Sequence, residues 1–280
     1  VRGSYKRYYG YRPGGSGDSD RRLMAVSRRI GADCFEGKDV LDIGCNRGSI
    51  SLAVARHFGA RRVVGVDVDE QLVEAASSAA KSSASGECEV EFRAEDFLTS
   101  PLRRGTSSEP ERFDVIMCLS VTKWVHYALG DAGVQKLFRR VWRRLQPGGL
   151  FVLEPQEWRS YKKKQYLTPE IRETVRGIEM RPEAFDEYLL SIGFEHEDTI
   201  PAPSFGPAGF RRSIRLFRRP ATALHGLTSE RPAKAEGSKP RRVAEAAHEE
   251  VSVQKRKKVK DYVEEEGADE APKKAKKQHA

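Results

Sequence analysis

Apolar and polar positions along residues 38–219 repeat with two different periods, and the switches between them mark out strands and helices. In residues 38–45, Val40, Leu41 and Ile43 form a short apolar run that closes on Gly44, the pattern of a buried strand ending in a turn. Residues 49–58 then run at helical spacing. A second strand over 62–66 ends at Asp67, and an alanine-rich stretch over 71–81 predicts a second helix. Strand signals recur around Phe92, over 113–119 and over 150–154. Between the last two, residues 135–145 form an amphipathic helix whose inner face is Leu137, Val141, Trp142 and Leu145. Residues 185–190 suggest a late helix and 212–218 a final strand. Alternation of this kind predicts a parallel sheet with helices on both faces, and such sheets bind ligands at the carboxyl ends of their strands.

After Pro220 the apolar period stops. Residues 221–280 carry 14 Lys and Arg against 11 Asp and Glu, with Tyr262 as their single aromatic residue. Such a segment buries too little apolar surface to offset chain entropy, so it is expected to be a disordered tail. Its run Lys255-Arg256-Lys257-Lys258-Val259-Lys260 has the composition of a nuclear localisation signal. The whole chain has 50 Lys and Arg against 41 Asp and Glu, a net charge of +9, which leaves 36 against 30 for residues 1–220. The basic balance is therefore a property of the folded part as well, and it suits a polyanionic partner. Cys34, Cys45, Cys88 and Cys118 are too scattered for a zinc site and read as buried thiols of a reducing, intracellular compartment. No apolar run approaches the roughly 18 residues of a membrane span.

Candidate chemistry begins where the first strand meets its helix. Asp42-Ile43-Gly44-Cys45-Asn46-Arg47-Gly48 spaces its glycines as G-x-x-x-G rather than as the dinucleotide G-x-G-x-x-G, and glycine there lets the main chain approach a ligand. Asp67, at the end of the second strand, suits a carboxylate accepting from both ribose hydroxyls of a nucleoside. Glu95-Asp96-Phe97 follows the third strand, where an acid can take an adenine amino group and an aromatic can cover the ring. With Leu145-Gln146-Pro147-Gly148-Gly149 before the apolar fifth strand, these elements resemble the class I S-adenosylmethionine-dependent methyltransferase domain over about residues 38–155.

Three flanking strings are more specific. Tyr8-Tyr9-Gly10-Tyr11-Arg12 precedes the domain; Cys118-Leu119-Ser120-Val121-Thr122-Lys123-Trp124-Val125-His126 follows the fourth strand; Leu153-Glu154-Pro155-Gln156 with Trp158, Ser160 and Tyr161 follows the fifth. In this order they resemble the methylphosphate capping enzymes, the bicoid-interacting protein family, over about residues 3–217. The resemblance implies a Rossmann-like, mostly parallel seven-stranded sheet with S-adenosylmethionine as cofactor and no metal. It implies methyl transfer to the terminal γ-phosphate of a small noncoding RNA by a monomeric catalytic domain.

Carried over, it places Tyr9, Arg22, Gly44, Cys45, Asn46, Asp67, Val68, Asp96, Phe97 and Leu119 around the cofactor. Tyr8, Arg12 and Lys123 would face the RNA 5′ end. Residues 1–37 become an RNA and cofactor clasp, 38–219 the methyltransferase domain, and 220–280 the charged tail with its ribonucleoprotein contacts. The sequence departs from the family at Ala128, where a side-chain amide is lost, and at Asp96, where asparagine is common. Other readings stay open at this level: a hydrophobic clasp for the tyrosines, a solvated charge for Lys123, and core packing for Trp124 and His126. For the whole chain, the alternatives are a methyltransferase of 5′-monophosphate RNA, one acting on a small molecule or protein, a product-bound RNA scaffold without turnover, and a nuclear interaction protein working through its tail.

Overall fold

The computed structural model describes residues 20–82, 88–101, 110–164, 168–204 and 211–221. In chain order its elements are α1 (Arg21–Ile30), β1 (Asp39–Ile43), α2 (Ser49–His57), β2 (Arg62–Asp67), α3 (Glu70–Lys81), β3 (Glu89–Ala94), β4 (Phe113–Leu119), α4 (Thr122–Arg144), β5 (Leu145–Glu154), α5 (Trp158–Lys164), α6 (Pro169–Arg176), α7 (Phe185–Ser191), β6 (Glu195–Ile200) and β7 (Ile214–Arg218). The strands form one seven-stranded sheet in the order β3-β2-β1-β4-β5-β7-β6. β1 to β5 are parallel, while β7 runs antiparallel to both β5 and β6. This is the mostly parallel sheet expected from the alternation, and its order reverses between β1 and β4. The crevice at such a switch point is where open α/β sheets bind ligands.

The pleat divides each strand between two cores. Leu41, Ile43, Val66, Ile116, Phe151 and Phe217 pack on one face under the inner stripe of α4, Leu137, Phe138 and Val141, and under Phe185 and Leu189 of α7. Val40, Val63, Val115, Met117, Val152 and Leu216 pack on the other with Leu23 and Val26 of α1 and Ile50 and Val54 of α2. α1 lies on the N-terminal side of the residue-38 boundary drawn from the sequence, so the core takes in residues from both sides of it. A third cluster joins Tyr127, Tyr161, Ile171 and Val175, with Trp124 and Trp158 against it.

Several elements differ from the pattern-based expectation, α5 and α6 among them, since that expectation has no element between residues 154 and 185. α4 begins at Thr122 instead of near residue 135, because Gly130 (φ 60°, ψ −157°) breaks its regular course and disguises the two halves as separate segments. β6 has no apolar alternation to announce it: Glu195–Ile200 is a charged edge strand that stays mostly exposed, as edge strands do to avoid pairing with other chains. α1 carries Arg21, Arg22, Arg28 and Arg29 around a narrow apolar stripe of Leu23 and Val26.

A buried ionic cluster ties β2, β3 and β4 to the end of α4. Glu111 accepts from Arg62 Nη1 at 2.7 Å, Arg93 Nη1 at 2.9 Å and Arg144 Nη2 at 2.7 Å. Burial alone would raise the Glu111 carboxyl, but hydrogen bonds from Arg93 and Arg62 and the charges of Arg93 and Arg144 outweigh it and bring it down to about 2. A carboxyl depressed on folding adds stability that is complete above the ordinary carboxylate range and is lost as pH falls toward about 2. Glu111→Gln leaves the buried Arg144 without its salt-bridge partner, while Arg62 and Arg93 keep Asp39 and Glu91, and is expected to cost about 3–5 kcal/mol. Thermal unfolding between pH 7 and pH 2 checks this: the variant melts lower at neutral pH, and the gap to the parent narrows on acidification.

Candidate active site

The carboxyl ends of β1, β2 and β3 build the first half of the site. The main chain leaves β1 through Gly44 (φ 74°), where a Cβ would stand 2.5 Å from Val121 Cγ2, so the loops after β1 and β4 touch at the switch point. Gly44 N–H and Cys45 N–H both donate to Val66 O, at 2.8 and 3.1 Å, and Asn46 follows in the left-handed region at φ 53°. Gly44→Ala is strained in backbone and side chain alike. It is expected to lower cofactor affinity at least tenfold while Gly37→Ala, which has open space around it, does not; equilibrium binding of S-adenosylmethionine to both variants checks this.

Asp67 closes the loop. Its Oδ2 accepts from Asn46 N–H at 2.9 Å and its Oδ1 from Asp69 N–H at 3.0 Å. A carboxylate offers about four acceptor positions, so each oxygen keeps capacity for one more donor, the pair that two vicinal ribose hydroxyls require. Burial raises the Asp67 carboxyl, helped by the charge of Asp69, and the N–H groups of Asp69, Asn46 and, most weakly, Val68 counter it. Next to it Val68 is 39% exposed, one of two large apolar side chains this open among the described residues, and thus a surface available to a base. Asp96, after β3, is half-buried and turns the chain by accepting from Leu98 N–H at 2.9 Å. Beneath the loop Asp42 is buried and accepts from Ser51 Oγ at 2.7 Å; burial pushes its carboxyl up to about 6, against that bond and the charge of Arg22. The cradle that a Cβ would fill at Gly44 and the acceptor set at Asp67 fit the nucleoside end of S-adenosylmethionine.

The second half lies across the switch point, after β4 and β5. Ser120 leaves β4 at φ 65°, and its N–H donates to Glu154 O. Glu154, 1% exposed at the end of β5, accepts from Ser120 Oγ and from Arg212 Nη1 at 3.3 Å through Oε1, while its Oε2 lies 3.6 Å from Arg22 Nη1. Arg22 is itself gripped by Asp20, which accepts from Nε and Nη2 at 3.0 Å each. Gln156, also buried, accepts from Lys123 N–H at 3.2 Å and Thr122 Oγ1 at 3.3 Å, and its Nε2 donates to Ser120 O. Lys123 is 6% exposed, with Nζ 5.1 Å from the Trp124 ring and 5.9 Å from the Tyr127 ring, faces that offset part of the cost of burying an ammonium.

Gly44, Asn46, Asp67, Val68 and Asp96 therefore gather on one side of the crevice and Arg22 and Lys123 on the other. Cys45 is buried, and burial with the nearby Asp42 and Asp67 holds its thiol far above the ordinary range. Leu119 turns its side chain into the α1 and α2 core. The Phe97 ring, read from sequence as a cover for adenine, is packed in the α4 core with Arg140 5.5 Å above it; what it leaves at the site is its main chain. Tyr8, Tyr9 and Arg12 lie outside the described residues. His126 takes the core reading: it is fully buried, its Nδ1 is 2.9 Å from Tyr161 Oη, and burial brings it down to about 4, so it is neutral at pH 7. In the sequence Arg212 marks only the start of a strand, and Glu154 and Gln156 are only letters of a motif. Their roles come from contacts between β4, β5 and β7 that no local pattern carries.

The fold is similar to that of the N-methyltransferase NodS from Bradyrhizobium japonicum in complex with S-adenosyl-L-homocysteine, with a TM-score of 0.52 and 18% identity over 71% of this chain and 86% of that one. The sheet order, the glycine cradle at its switch point and the acid closing β2 define a class I S-adenosylmethionine-dependent methyltransferase, and the general methyltransferase-domain model matches residues 40–149. The model of Bicoid-interacting protein 3 (Bin3) matches residues 113–219. The chain is 37% identical to a probable RNA methyltransferase of Arabidopsis thaliana, over 78% of this chain and 80% of the relative. It is also 37% identical to the U6 snRNA methylphosphate capping enzyme Amus of Drosophila melanogaster, over 78% of this chain and 74% of the relative. The chain belongs to the Bicoid-interacting protein 3 family of methylphosphate capping enzymes.

Proposed function

We propose that the protein transfers a methyl group from S-adenosylmethionine to the terminal γ-phosphate at the 5′ end of a small noncoding RNA, leaving a methylphosphate cap. The observation that carries this reading is Lys123. A buried lysine whose main chain is fixed by Gln156 stands across the switch point from the nucleoside cradle, where a polyanion would need its cation. In this reading Arg22, Gly44, Cys45, Asn46, Asp67, Val68, Asp96, Phe97 and Leu119, with Tyr9, hold the cofactor. Tyr8, Arg12 and Lys123 hold the RNA end.

When bound, S-adenosylmethionine would supply a sulfonium methyl carbon for an ionised oxygen to attack, the C–S bond breaking and neutral S-adenosylhomocysteine leaving. A terminal phosphate has a second pKa near 6, so its oxygen is already ionised at neutral pH and no side chain has to remove a proton. The residues near Lys123 fit that economy: His126 is neutral and turned into the aromatic core. What the protein contributes is position. Lys123 fixes one phosphate oxygen by charge, and its two aromatic neighbours keep the ammonium from swinging to solvent. Glu154 and Gln156 set the angle at which the loop after β4 presents it. Arg22, clamped between Asp20 and Glu154, offers a fixed cation for the methionine carboxylate. The basic run of residues 255–260, outside the described residues, supports nuclear action on such RNAs.

Matched hairpin RNAs bearing 5′-triphosphate, 5′-monophosphate or 5′-hydroxyl test the substrate. With labelled S-adenosylmethionine, the triphosphate RNA takes up label and the hydroxyl RNA does not. Label on the monophosphate alone would shift the protein to that substrate. Tight cofactor binding with no transfer to any RNA would favour the product-bound scaffold.

A further inference from the structure

The methyl-transfer reading uses the first turn of α4 and leaves the charge of its other half unexplained. Lys136, Arg139 and Arg143 are all exposed and follow one another at i, i+3 and i+7, so they share one helix face. Arg219 comes up beside them from the end of β7. None of these four has a carboxylate partner among the described residues. The guanidiniums that are fixed are fixed by neutral groups: Arg139 donates to Tyr188 Oη at 2.9 Å and Gln135 Oε1 at 3.2 Å, and Arg219 to the carbonyls of Trp142 at 3.0 Å and Leu145 at 2.7 Å. Such bonds hold the planes in place without cancelling their charge. Like charges crowd here as well, Arg219 against Arg112 and Arg143 against Arg140, and burial with these neighbours lowers the Arg219 and Arg140 guanidiniums. Arg140 differs from the rest, since Glu95 and Asp96 also act on it.

We propose that this arginine ridge binds the phosphate backbone of the substrate RNA's stem, as a second contact surface apart from the 5′ end. The inference rests on the RNA 5′-phosphate reading above. Three features fit the phosphate backbone of an RNA duplex. Prefixed guanidinium planes match phosphate oxygens two at a time. The rings that would stack on unpaired bases are already occupied, Trp142 by Arg219 at 5.0 Å and Tyr188 by Arg139 at 5.7 Å, so the ridge offers charge without a stacking platform. The ridge is also close to the site: it sits on the second half of α4, past the break at Gly130, and Lys123 on the first, at most about 30 Å apart at about 1.5 Å per residue. A duplex whose 5′ end meets Lys123 needs to extend no more than that distance to reach it. The groove lined by Arg139, Trp142, Arg143 and Ile192 is open and holds about 250 Å3, suited to a surface laid across it rather than a ligand enclosed in it.

The test is equilibrium binding of a fluorescent 5′-triphosphate hairpin RNA to the full chain at several salt concentrations. It sets the parent beside the triple variant Lys136→Ala, Arg139→Ala, Arg143→Ala. Removing one cation from one phosphate should reduce the salt slope by about 1. The triple variant is expected to bind the hairpin about tenfold or more weakly near 0.15 M salt with a slope shallower by about 2–3, while methyl transfer to a 5′-triphosphorylated trinucleotide keeps its rate. Arg139 also bridges α4 to α7, so the double variant Lys136→Ala, Arg143→Ala serves if the triple variant melts early; its slope is expected to fall by about 1–2. Unchanged hairpin affinity and slope in a folded variant would overturn the proposal and leave the ridge to an acidic protein partner. Failure of the parent to methylate any RNA would instead overturn the 5′-phosphate reading, and the binding slopes would still decide the ridge.

Discussion

Asp67→Ala is expected to abolish practical retention of S-adenosylmethionine, with affinity falling on the order of 100- to 10,000-fold. Two hydrogen bonds from ribose hydroxyls to a carboxylate are worth about 1.5–3 kcal/mol each. The substitution also removes the acceptor of Asn46 N–H and Asp69 N–H, so the loop after β1 loses the tie that shapes it. Stability should change little, since burial raises the Asp67 carboxyl and keeping that charge already costs the folded state. Calorimetric titration with the cofactor, beside a thermal melt, separates the two effects. Tight binding by a folded Asp67→Ala variant would show that the nucleoside is not held at the end of β2.

Lys123→Ala is expected to do the reverse. Removing one preorganised charge that faces a reacting anion costs about 10²–10³ in kcat. Cofactor affinity should stay within about twofold, because Lys123 is held by Gln156, Trp124 and Tyr127, across the switch point from the loops after β1 and β2. Lys123→Arg should recover only part of the rate, since a planar fork does not replace a compact ammonium set between two rings. Single-turnover methyl transfer on a triphosphate RNA, with cofactor binding measured in parallel, tells the two apart. An equal fall in both would place Lys123 in the cofactor pocket or in the fold.

Much of this division was legible in the sequence. The runs at Val40-Leu41-Asp42-Ile43 and Val63-Val64-Gly65-Val66, broken only by Asp42, are apolar strands that only a sheet covered on both faces can bury, and an acid or a glycine at their ends has the crevice as its one destination. Asp67 and Gly44 could thus be placed from order alone. Phe97 shows the limit. Its position after β3 is set by the chain, but the direction of its ring is set by α4, whose Arg140 covers it. The same holds for Glu154, which a strand pattern counts as one more residue of β5. It becomes the joint between Arg22 and Arg212 only because β7 returns antiparallel beside β5 and brings Arg212 to its tip. β6 escaped because an exposed edge strand needs no apolar period, and the first half of α4 because Gly130 interrupts the helix that begins at Thr122.

The destination of the methyl group decides most directly whether Lys123 serves a terminal phosphate. A 5′-triphosphate hairpin labelled from S-adenosylmethionine, then treated with a pyrophosphohydrolase that removes the terminal phosphates and leaves the chain intact, locates it. All label is expected to leave with the released phosphates while the RNA body keeps none. Label that stays with the RNA body after this treatment would put the methyl on a base or a ribose and contradict the assignment of Lys123 to a terminal phosphate.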